Sequence, residues 1–361
     1  MKILSLVGAR PQFIKEAVVN RAVRDKNAWT HILVHSGQHY DFNMSGAFFE
    51  ELGIPKPDYY LGVGSGSHAV QTADAMVKFE RLLLKEKPEM VLLYGDTNTT
   101  LAGAIDAAKM HIPIAHVEAG PRTYNKIFPE EVNRVLTDHI SDLLFACTSL
   151  NVSNLAKEGI VQGVYNTGDV MYDLYLRMCH NFEPQIEMGK LGLEKDKYVI
   201  ATIHRDFNTD SRDTFAAILT GLGAISFRYD LKIVLPVHPR ARKRVSEFRL
   251  EHLLNDNMIV CEPLGYIELM SLTQNAKFVV TDSGGFQKES YWAGKRGLLV
   301  MPQGWQEITD TGWHKLVPEP ALIDWEQAAD EIMQRTGYPK NLFGDGHAAE
   351  KIVEIIGRRF S

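Results

Sequence analysis

Three carboxylates in the first half of the chain have the chemistry and the positions for acid–base catalysis: Asp96, Glu118 and Glu130. Each follows an apolar run or opens an amphipathic stretch, so loops could bring them together. In a partly dry cleft their mutual repulsion would raise the pKa of at least one, which supplies a protonated acid beside an ionised base. Taken singly, Asp96 or Glu130 could equally cap a helix.

The segment Thr281-Asp-Ser-Gly-Gly285 could bind an anion. It follows an apolar run and precedes a helical pattern, which would place its backbone N–H groups and the Ser283 hydroxyl at a helix N-terminus, where a pyrophosphate would fit. An ordinary glycine turn with Asp or Ser as the N-cap is the alternative. Further along, Glu289 could accept hydrogen bonds from ribose hydroxyls or be a solvated helix residue.

Two basic residues follow the first predicted strand, within Gly8-Ala-Arg-Pro-Gln-Phe-Ile-Lys15. Arg10 lies in the turn and Lys15 one turn into the predicted helix. The single glycine followed by proline is not a GxGxxG fingerprint, so the sequence predicts no dinucleotide cofactor. Arg10 and Lys15 could reach the same anion, the first by its planar fork and the second as a point charge. They could also be ordinary surface residues.

Other polar and aromatic clusters favour structural roles. His35 and His39 have the i, i+4 spacing of zinc-binding helices, but Ser36-Gly37 indicates a loop and the Glu of HExxH is missing, so we predict no metal site. The basic run after His238-Pro239 is most simply a solvated helix face. We expect the tryptophans of the second half to be packing residues. The basic run consists of Arg240, Arg242, Lys243 and Arg244, and the tryptophans are Trp305, Trp313 and Trp325.

Short runs rich in Val, Ile and Leu alternate with longer amphipathic stretches, which predicts an α/β fold with parallel sheets buried on both faces. This alternation occurs twice along the chain, and we predict a hinge between the two series near Asn166-Thr-Gly-Asp-Val170. A final helix is predicted at about 346–359. We therefore predict domains at 1–168 and 169–345, and a C-terminal segment, 346–361, that packs back on the first domain. The predicted strands are 2–7, 31–35, 89–94, 112–117 and 143–147, then 197–203, 231–237, 257–261, 277–281 and 297–301.

In doubly wound sheets, ligands bind at the carboxyl ends of the strands. The residues that follow the predicted strands are charged, small or hydroxyl-bearing, so we expect a cleft lined from both domains. In the first domain they are Gly8-Ala-Arg10, Ser36-Gly-Gln-His39, Gly95-Asp-Thr97, and His116 with Glu118. In the second they are His204-Arg205, His238 and Asp282-Ser-Gly-Gly285.

Composition limits the partners of the chain. Its 361 residues suit two domains, and with 45% hydrophobic and 23% charged residues and a net charge of -6 we expect neither nucleic acid nor a membrane as partner. Cys147, Cys179 and Cys261 lie far apart without a CxxC pair, which argues against disulfides and suits a reducing cytosol. With no signal-peptide pattern and no membrane-spanning run, we expect a soluble, cytoplasmic protein.

Together these loops resemble the non-hydrolysing UDP-N-acetylglucosamine 2-epimerases along nearly the whole chain. The motifs that carry the resemblance are Gly8-Ala-Arg-Pro, Gly95-Asp-Thr-Asn98, His116-Val-Glu-Ala-Gly120, Pro129-Glu-Glu-Val-Asn-Arg134, Thr202-Ile-His-Arg205, Pro236-Val-His-Pro239 and Thr281-Asp-Ser-Gly-Gly-Phe-Gln287. The resemblance implies the GT-B fold, in which two Rossmann-like domains face each other across a cleft, and a homodimer. It also implies a role in cell-surface polysaccharide precursor synthesis.

The resemblance further implies a reaction that needs no cofactor. UDP is removed to leave a 2-acetamidoglucal, the carbon 2 proton is lost, and UDP is added again with a proton delivered to the opposite face. By resemblance the three carboxylates perform the acid–base steps, His204 and Arg10 lie at the departing pyrophosphate with Lys15 nearby, and Glu289 binds the ribose. The phosphates contact Ser283 and Gly284, and the wider substrate-binding set adds Arg122, Arg205, His238 and Gly285.

Some segments depart from the family pattern. Many members have His-Arg-x-Glu-Asn where this chain has His204-Arg-Asp-Phe-Asn208, Pro121 replaces the usual Leu, and Val300-Met-Pro-Gln-Gly-Trp-Gln-Glu307 replaces Arg-x-x-Thr-Glu-Arg-Pro-Glu. The stretches Gln38-His-Tyr-Asp-Phe-Asn-Met44 and Gly168-Asp-Val-Met-Tyr-Asp173, with Trp305, resemble the branch that acts on UDP-2,3-diacetamido-2,3-dideoxyglucuronate. Gln38-His-Tyr also differs from the Gln-His-Arg linked to allosteric UDP-GlcNAc binding, so we expect no such activation.

Four functions remain open at this point: an epimerase on either sugar, a hydrolysing 2-epimerase, a UDP-sugar glycosyltransferase of the same fold, and a nucleotide-sugar sensor without catalysis. The epimerase is preferred because the acids cluster in the first half while the nucleotide signals lie mainly in the second. If the sugar carries a carboxylate, Arg122, Lys126 and Arg205 are candidates to pair with it, or they contact the phosphates.

Overall fold

The computed structural model describes residues 1–26, 29–37 and 56–360, and the predicted motif Gln38–Met44 lies outside them. The chain forms two compact units. The first comprises Met1–Leu174 and Asn341–Ser361, and the second comprises Tyr175–Lys340. Each unit is an α/β structure with its own parallel sheet.

The first unit contains a seven-stranded sheet in the order β3-β2-β1-β4-β5-β6-β7. Its strands are β1 (Lys2–Val7), β2 (Thr30–His35), β3 (Tyr59–Tyr60), β4 (Met90–Tyr94), β5 (Ile114–Ala119), β6 (Leu143–Ala146) and β7 (Val164–Asn166). The helices described in this unit are Arg10–Lys26, His68–Glu86, Asn98–Lys109, Pro129–His139, Ser149–Lys157, Val170–Met178, which runs into the second unit, and Ala348–Arg359. The last of these packs on the first.

The second unit has a six-stranded sheet in the order β10-β9-β8-β11-β12-β13. Its strands are β8 (Tyr198–Thr202), β9 (Lys232–Pro236), β10 (Met258–Cys261), β11 (Val279–Thr281), β12 (Gly297–Leu299) and β13 (His314–Leu316). Its helices are Pro184–Lys190, Asp206–Thr209, Arg212–Tyr229, Pro239–Glu247, Tyr266–Asn275, Gly284–Trp292, Gln306–Thr309 and Trp325–Met333, with 3-10 turns at Cys179–Asn181 and Glu251–Leu253.

The strand interiors are apolar because helices cover both faces of each sheet. All five residues of β4 are buried, and the core of the second unit joins β8, β9 and β11 to the helices Arg212–Tyr229 and Trp325–Met333. The ten predicted strands are all present, with bounds that shift by no more than a few residues. The edge strands β3, β7 and β13 were not predicted, since two or three residues give no measurable periodicity.

None of the described helices is both long enough and apolar enough to cross a membrane.

Candidate active site

The order of each sheet reverses direction beside its first strand, and these switch points are where doubly wound sheets bind ligands. In the first unit the switch lies between β1 and β4, and in the second between β8 and β11. The loops that leave the first pair carry Arg10 and Asp96. Those that leave the second pair carry His204 and Ser283. These four sequence-predicted residues therefore lie at the carboxyl edge of their sheets, where doubly wound sheets bind ligands.

The turn after β1 is held tightly against the end of β4. The side chain of Gln12 accepts hydrogen bonds from Gly8 N at 2.7 Å and Ala9 N at 3.0 Å, and donates to the Tyr94 carbonyl at 2.6 Å. A Cβ at Gly8 would lie 2.3 Å from Thr99 Oγ1, so only glycine fits this close approach. Gln12 thereby fixes the loop of Arg10, an exposed residue, beside the loop of Asp96.

Glu118 lies in an irregular part of β5. The register with β6 shifts between Val117 and Ala119, and Glu118 has the left-handed backbone value φ 69. Such a bulge re-aims the side chain at the cost of backbone strain. Here the Glu118 carboxylate forms an ion pair with the Lys15 ammonium, and the two side chains are only 12% and 10% exposed. An adjacent ammonium favours the ionised form of the carboxylate.

Asp96 is paired with a different cation. Its carboxylate contacts the guanidinium of Arg134, which also contacts Glu131 at 2.8 Å. Burial acts to lower the pKa of Arg134, but Asp96 and Glu131 outweigh it and the pKa is raised. Asn133 adds a hydrogen bond from its side-chain amide to the Asp96 carbonyl at 3.0 Å. The helix Pro129–His139 therefore orients Asp96 from its second turn.

Glu131 also anchors the loop before its helix. Its carboxylate accepts hydrogen bonds from Thr123 N at 3.0 Å and Tyr124 N at 2.8 Å. Burial acts to raise the pKa of Glu131, but these hydrogen bonds and Arg134 lower it below its ordinary value. Glu131 therefore stays ionised and supports the first turn of the helix that presents its neighbour Glu130.

Asp96 and Glu118 each contact a cation of their own, and the mutual repulsion expected among the three acids stays a prediction. The capping alternative is wrong for Asp96, since Thr97 caps the helix Asn98–Lys109. Glu130 is exposed in the first turn of the helix Pro129–His139. Its side chain has no hydrogen-bond or ion-pair partner within the described part of the chain.

Arg122 was predicted to bind substrate, and its surroundings contradict that role. Its side chain is fully buried, with Nη1 at 2.7 Å from Asp138 and Nε at 2.7 Å from Glu158. Asp138 also contacts the His116 ring at 2.7 Å. Burial acts to raise the pKa of Asp138, but His116 and Arg122 lower it. With its guanidinium enclosed by two carboxylates, Arg122 stabilises the end of β5 and has no surface to offer a ligand.

In the second unit, Asp282 organises the loop after β8. Its carboxylate is completely buried and accepts hydrogen bonds from Arg205 N at 2.9 Å and from the Asn208 amide at 3.0 Å. His204 contacts the same carboxylate through its backbone N–H and, at 3.0 Å, through ring Nδ1. The backbone of the His204–Asn208 turn is thus fixed, while the His204 side chain remains 45% exposed.

The predicted anion-binding turn forms as expected at a helix N-terminus. Ser283 is the N-cap of the helix Gly284–Trp292, with a long 3.4 Å contact from Phe286 N. A Cβ at Gly284 or Gly285 would meet no atom within 4 Å, so the space over the first turn is open. Glu289 is half-buried one turn further along. Partial positive charge and open N–H groups suit a phosphate.

Trp305 packs beside this turn. Its indole N–H donates to the Gly284 carbonyl at 2.9 Å, and its ring lies 3.8 Å from the Lys288 ammonium. Gln287 accepts from the Trp305 backbone N–H at 3.1 Å. The segment that departs from the family pattern is therefore tied to the helix that carries Ser283. Phe207, where this chain also departs from the family pattern, has a half-exposed side chain. The next residue, Asn208, still donates a hydrogen bond to the Asp282 carboxylate.

His238 caps the helix Pro239–Glu247 and is exposed at the end of β9. The following arginines are paired across to the neighbouring loop: Arg240 contacts Asp206 at 3.0 Å and Asp210 at 2.6 Å, and Arg244 contacts Asp210 at 3.0 Å. The basic run is therefore more than a solvated face, since it holds the short helix after Arg205 against the helix after His238.

Gln12, Glu131, Arg134 and Asp282 were not assigned roles from the sequence. Glu131, Arg134 and Asp282 stand within motifs that resemble the family pattern and Gln12 directly follows one, which was the available signal. Their functions depend on partners in other elements, which no local spacing reveals. His39 lies outside the described residues. His35 accepts a hydrogen bond from Gly37 N at 2.7 Å, and burial lowers its pKa to about 4.

Comparison with known proteins identifies the family of the chain. The family model described as UDP-N-acetylglucosamine 2-epimerase matches residues 21–357. The chain is 43% identical to a UDP-N-acetylglucosamine 2-epimerase homolog of Methanococcus maripaludis, over 99% of both chains. It is 41% identical to the UDP-2,3-diacetamido-2,3-dideoxy-D-glucuronate 2-epimerase of Pseudomonas aeruginosa, over 99% of this chain and 100% of the relative.

Among solved structures, the Methanocaldococcus jannaschii UDP-GlcNAc 2-epimerase in complex with UDP-GlcNAc and UDP matches with a TM-score of 0.83. The identity is 37%, over 99% of this chain and 100% of that one. The two doubly wound units are those of the GT-B fold, and the named relatives are UDP-sugar 2-epimerases, a class of isomerase. The chain belongs to the UDP-N-acetylglucosamine 2-epimerase family.

Proposed function

We propose that this protein inverts carbon 2 of a UDP-2-acetamido sugar by eliminating UDP and adding it again. The bond between carbon 1 and the phosphate oxygen breaks, the carbon 2 proton is removed, and a 2-acetamidoglucal is left. UDP then returns to carbon 1 while a proton reaches the opposite face of carbon 2. The observation that carries the proposal is the Glu118 carboxylate, aimed by a strand bulge and held ionised by Lys15.

The three acids divide the proton transfers. Glu118 and Asp96 each lie against a cation, which favours the carboxylate and suits a base. Glu130 has no cation beside it within the described residues, which suits a group that must both give and take a proton. A carbon 2 proton is weakly acidic, so positioned carboxylates and stabilisation of the departing UDP must act together.

The UDP-binding groups lie mainly in the second unit. The backbone N–H groups of Gly284 and Gly285 and the Ser283 hydroxyl would receive the phosphates, and Glu289 the ribose hydroxyls. His204, Arg205 and His238 are exposed at the same sheet edge and supply cationic or donor groups to the pyrophosphate. In the first unit, Arg10 is the exposed candidate for a phosphate contact, and Lys15 pairs with Glu118.

The sugar is either 2-acetamidoglucose or 2,3-diacetamidoglucuronate, the two substrates named for relatives of this chain. A glucuronate carboxylate needs an accessible cation. Arg122 is enclosed by Asp138 and Glu158, so it does not fill that role. Lys126 and Arg205 are exposed and remain the candidates. Arg205→Gln should then weaken turnover of the glucuronate more than that of UDP-GlcNAc.

The same site would act as a hydrolase if water trapped the intermediate, so product analysis tests the proposal. Incubation with either UDP-sugar should give a reversible mixture of two UDP-sugars with free UDP well below one equivalent. Stoichiometric release of UDP and free sugar would identify a hydrolysing 2-epimerase instead. Sugar transfer to an added acceptor would identify a glycosyltransferase.

We further propose a cytoplasmic homodimer that works without a cofactor. A cytoplasmic location suits a UDP-sugar substrate and the three free cysteines. Two helices of the first unit flank Asn98–Lys109 and expose apolar stripes at helical spacing. These stripes are Val70, Val77 and Leu84 on one helix, and Phe128, Val132, Leu136 and Ile140 along the other. A second copy of the chain would cover them.

A further inference from the structure

Asp282 is a carboxylate with no exposure to solvent, and all of its described partners in the adjacent turn are N–H donors. Oδ2 accepts from His204 N at 3.0 Å and Arg205 N at 2.9 Å, and from the Asn208 amide at 3.0 Å. Oδ1 lies 3.0 Å from His204 Nδ1. The Asp282 carboxylate therefore acts as a hydrogen-bond acceptor toward this turn.

This arrangement decides which ring nitrogen of His204 carries a proton. Nδ1 lies 3.0 Å from a carboxylate oxygen, which favours a proton on Nδ1, because two unprotonated acceptors at this distance would repel each other. A neutral His204 then leaves Nε2 without a proton, and a charged one presents an Nε2–H. Since the Nδ1 edge rests on a buried group while the side chain is 45% exposed, the edge that carries Nε2 is the open one.

We infer that Asp282 is a positioning residue that holds His204 in its Nδ1–H tautomer and directs Nε2 toward the pyrophosphate. The inference rests on the proposed function of His204. As the bond from carbon 1 to oxygen breaks, the imidazolium gives its Nε2 proton to the departing phosphate oxygen and becomes neutral. When UDP returns, the proton goes back to Nε2. Asp282 keeps its charge and its Nδ1–H contact throughout.

The position of Asp282 at the end of β11 is itself well fixed. Its backbone N–H donates to the Thr202 carbonyl at 3.1 Å, and the hydroxyls of Thr202 and Thr281 are 2.6 Å apart. On the outer side, Arg240 holds the same turn through Asp206. The sheet therefore fixes the position of the carboxylate, and the carboxylate fixes the orientation of the His204 ring. Preorganisation of this kind is what a catalytic imidazole requires.

The direct test is nitrogen-15 NMR of the histidine rings in the wild-type protein, with the His204 signals assigned by their loss in His204→Gln. In spectra recorded at a pH high enough to give the neutral ring, the expected result is a proton on Nδ1, the reverse of the tautomer that histidine prefers in water. A ring protonated on Nε2 would overturn the inference. This readout requires no turnover, so it stands or falls separately from the proposed epimerase activity.

Kinetics with Asp282→Asn and Asn208→Ala supply a second test. Asn208 donates to the same carboxylate but does not touch the ring, which makes it the matched control for support of the turn. Asp282→Asn should lower kcat by roughly 10²- to 10³-fold with a small change in KM and remove the limb of the pH profile that belongs to His204. Asn208→Ala should keep the profile shape. An unchanged profile in both variants would contradict the inference.

Discussion

The Lys15 ammonium and the Glu118 carboxylate form an ion pair at the carboxyl edge of the first sheet, and neither side chain is more than 12% exposed. Lys15 comes from the helix after β1, whereas Glu118 comes from β5, which is separated from β1 by β4. The pair therefore connects the helix that follows β1 to the end of β5, across the intervening strand β4. A contact so well shielded from water is stronger than a surface ion pair, and loss of either partner leaves a costly unpaired charge.

Removal of Lys15 should therefore harm both stability and turnover. We expect Lys15→Met to lower the free energy of unfolding of the first unit by about 3 kcal/mol, since the buried Glu118 carboxylate loses its contact with the Lys15 ammonium. Lys15→Met with Glu118→Gln should recover part of that loss. Urea unfolding of the single and double variants measures the coupling. Strict additivity of the two changes would show that the pair is not coupled.

Substitution of the three acids should separate binding from chemistry. Asp96→Asn, Glu118→Gln and Glu130→Gln should each retain UDP binding, because the nucleotide groups lie mainly in the second unit. Turnover should fall by about 10²-fold or more. Calorimetric titration with UDP and steady-state rates measure the two effects. Glu80→Gln, an exposed acid on the helix His68–Glu86, is the control and should keep full activity. Full activity in all three variants would refute the assigned roles.

Glu16 should make stability depend on pH. It is completely buried, and burial raises its pKa to about 8. The unfolded chain loses this proton near the ordinary glutamate pKa of 4.5, so the folded state holds more protons between pH 4.5 and pH 8. Stability therefore falls as pH rises through that window. His31, whose pKa burial lowers to about 4, acts in the opposite sense below 6.5.

Glu16→Gln removes this ionisation while keeping a polar side chain beside Asn20, which donates to it at 2.9 Å. The stability gained over wild type should grow with pH by up to about 1.4 kcal/mol per unit between 4.5 and 8. Urea midpoints of both proteins at pH 5 and pH 8 give the comparison. A difference that does not change with pH would mean that Glu16 is already ionised in the folded protein.

Charges on the apolar stripes should break the proposed dimer. Val77 and Leu136 are 51% and 46% exposed, and a glutamate at either position would place a charge in the buried interface. Sedimentation analysis should show a dimer for wild type and a monomer for Val77→Glu/Leu136→Glu. Phe227→Glu, at an 89% exposed position of the second unit, is the control and should remain dimeric. A monomeric wild type would reject the proposal.

Much of the fold could be predicted because strands buried on both faces are continuous apolar runs, as Met90–Tyr94 illustrates. The ligand-binding edge followed from the rule for parallel sheets. The partner of each charged residue could not be predicted, since it depends on distant elements. Arg122 is an example: its sequence position after Glu118 suggested a ligand contact, but Asp138 and Glu158 enclose it.

Two other features also depend on tertiary structure. The bulge that turns Glu118 toward Lys15 arises from the pairing of β5 with β6. The local sequence does not predict a left-handed backbone conformation at this glutamate. The role of Asp282 was similarly hidden, because an Asp before Ser-Gly-Gly is compatible with a simple cap. Only the position of β8 beside β11 shows that its carboxylate supports the His204 turn.

The measurement that tests the central claim most directly is proton NMR in deuterated water, with UDP-GlcNAc and, separately, with UDP-2,3-diacetamidoglucuronate. We predict that the carbon 2 proton of one substrate exchanges with solvent while the manno-configured UDP-sugar grows in, and that Glu118→Gln abolishes both changes. Binding of both UDP-sugars without exchange at carbon 2 would contradict the epimerase assignment and indicate a nucleotide-sugar sensor.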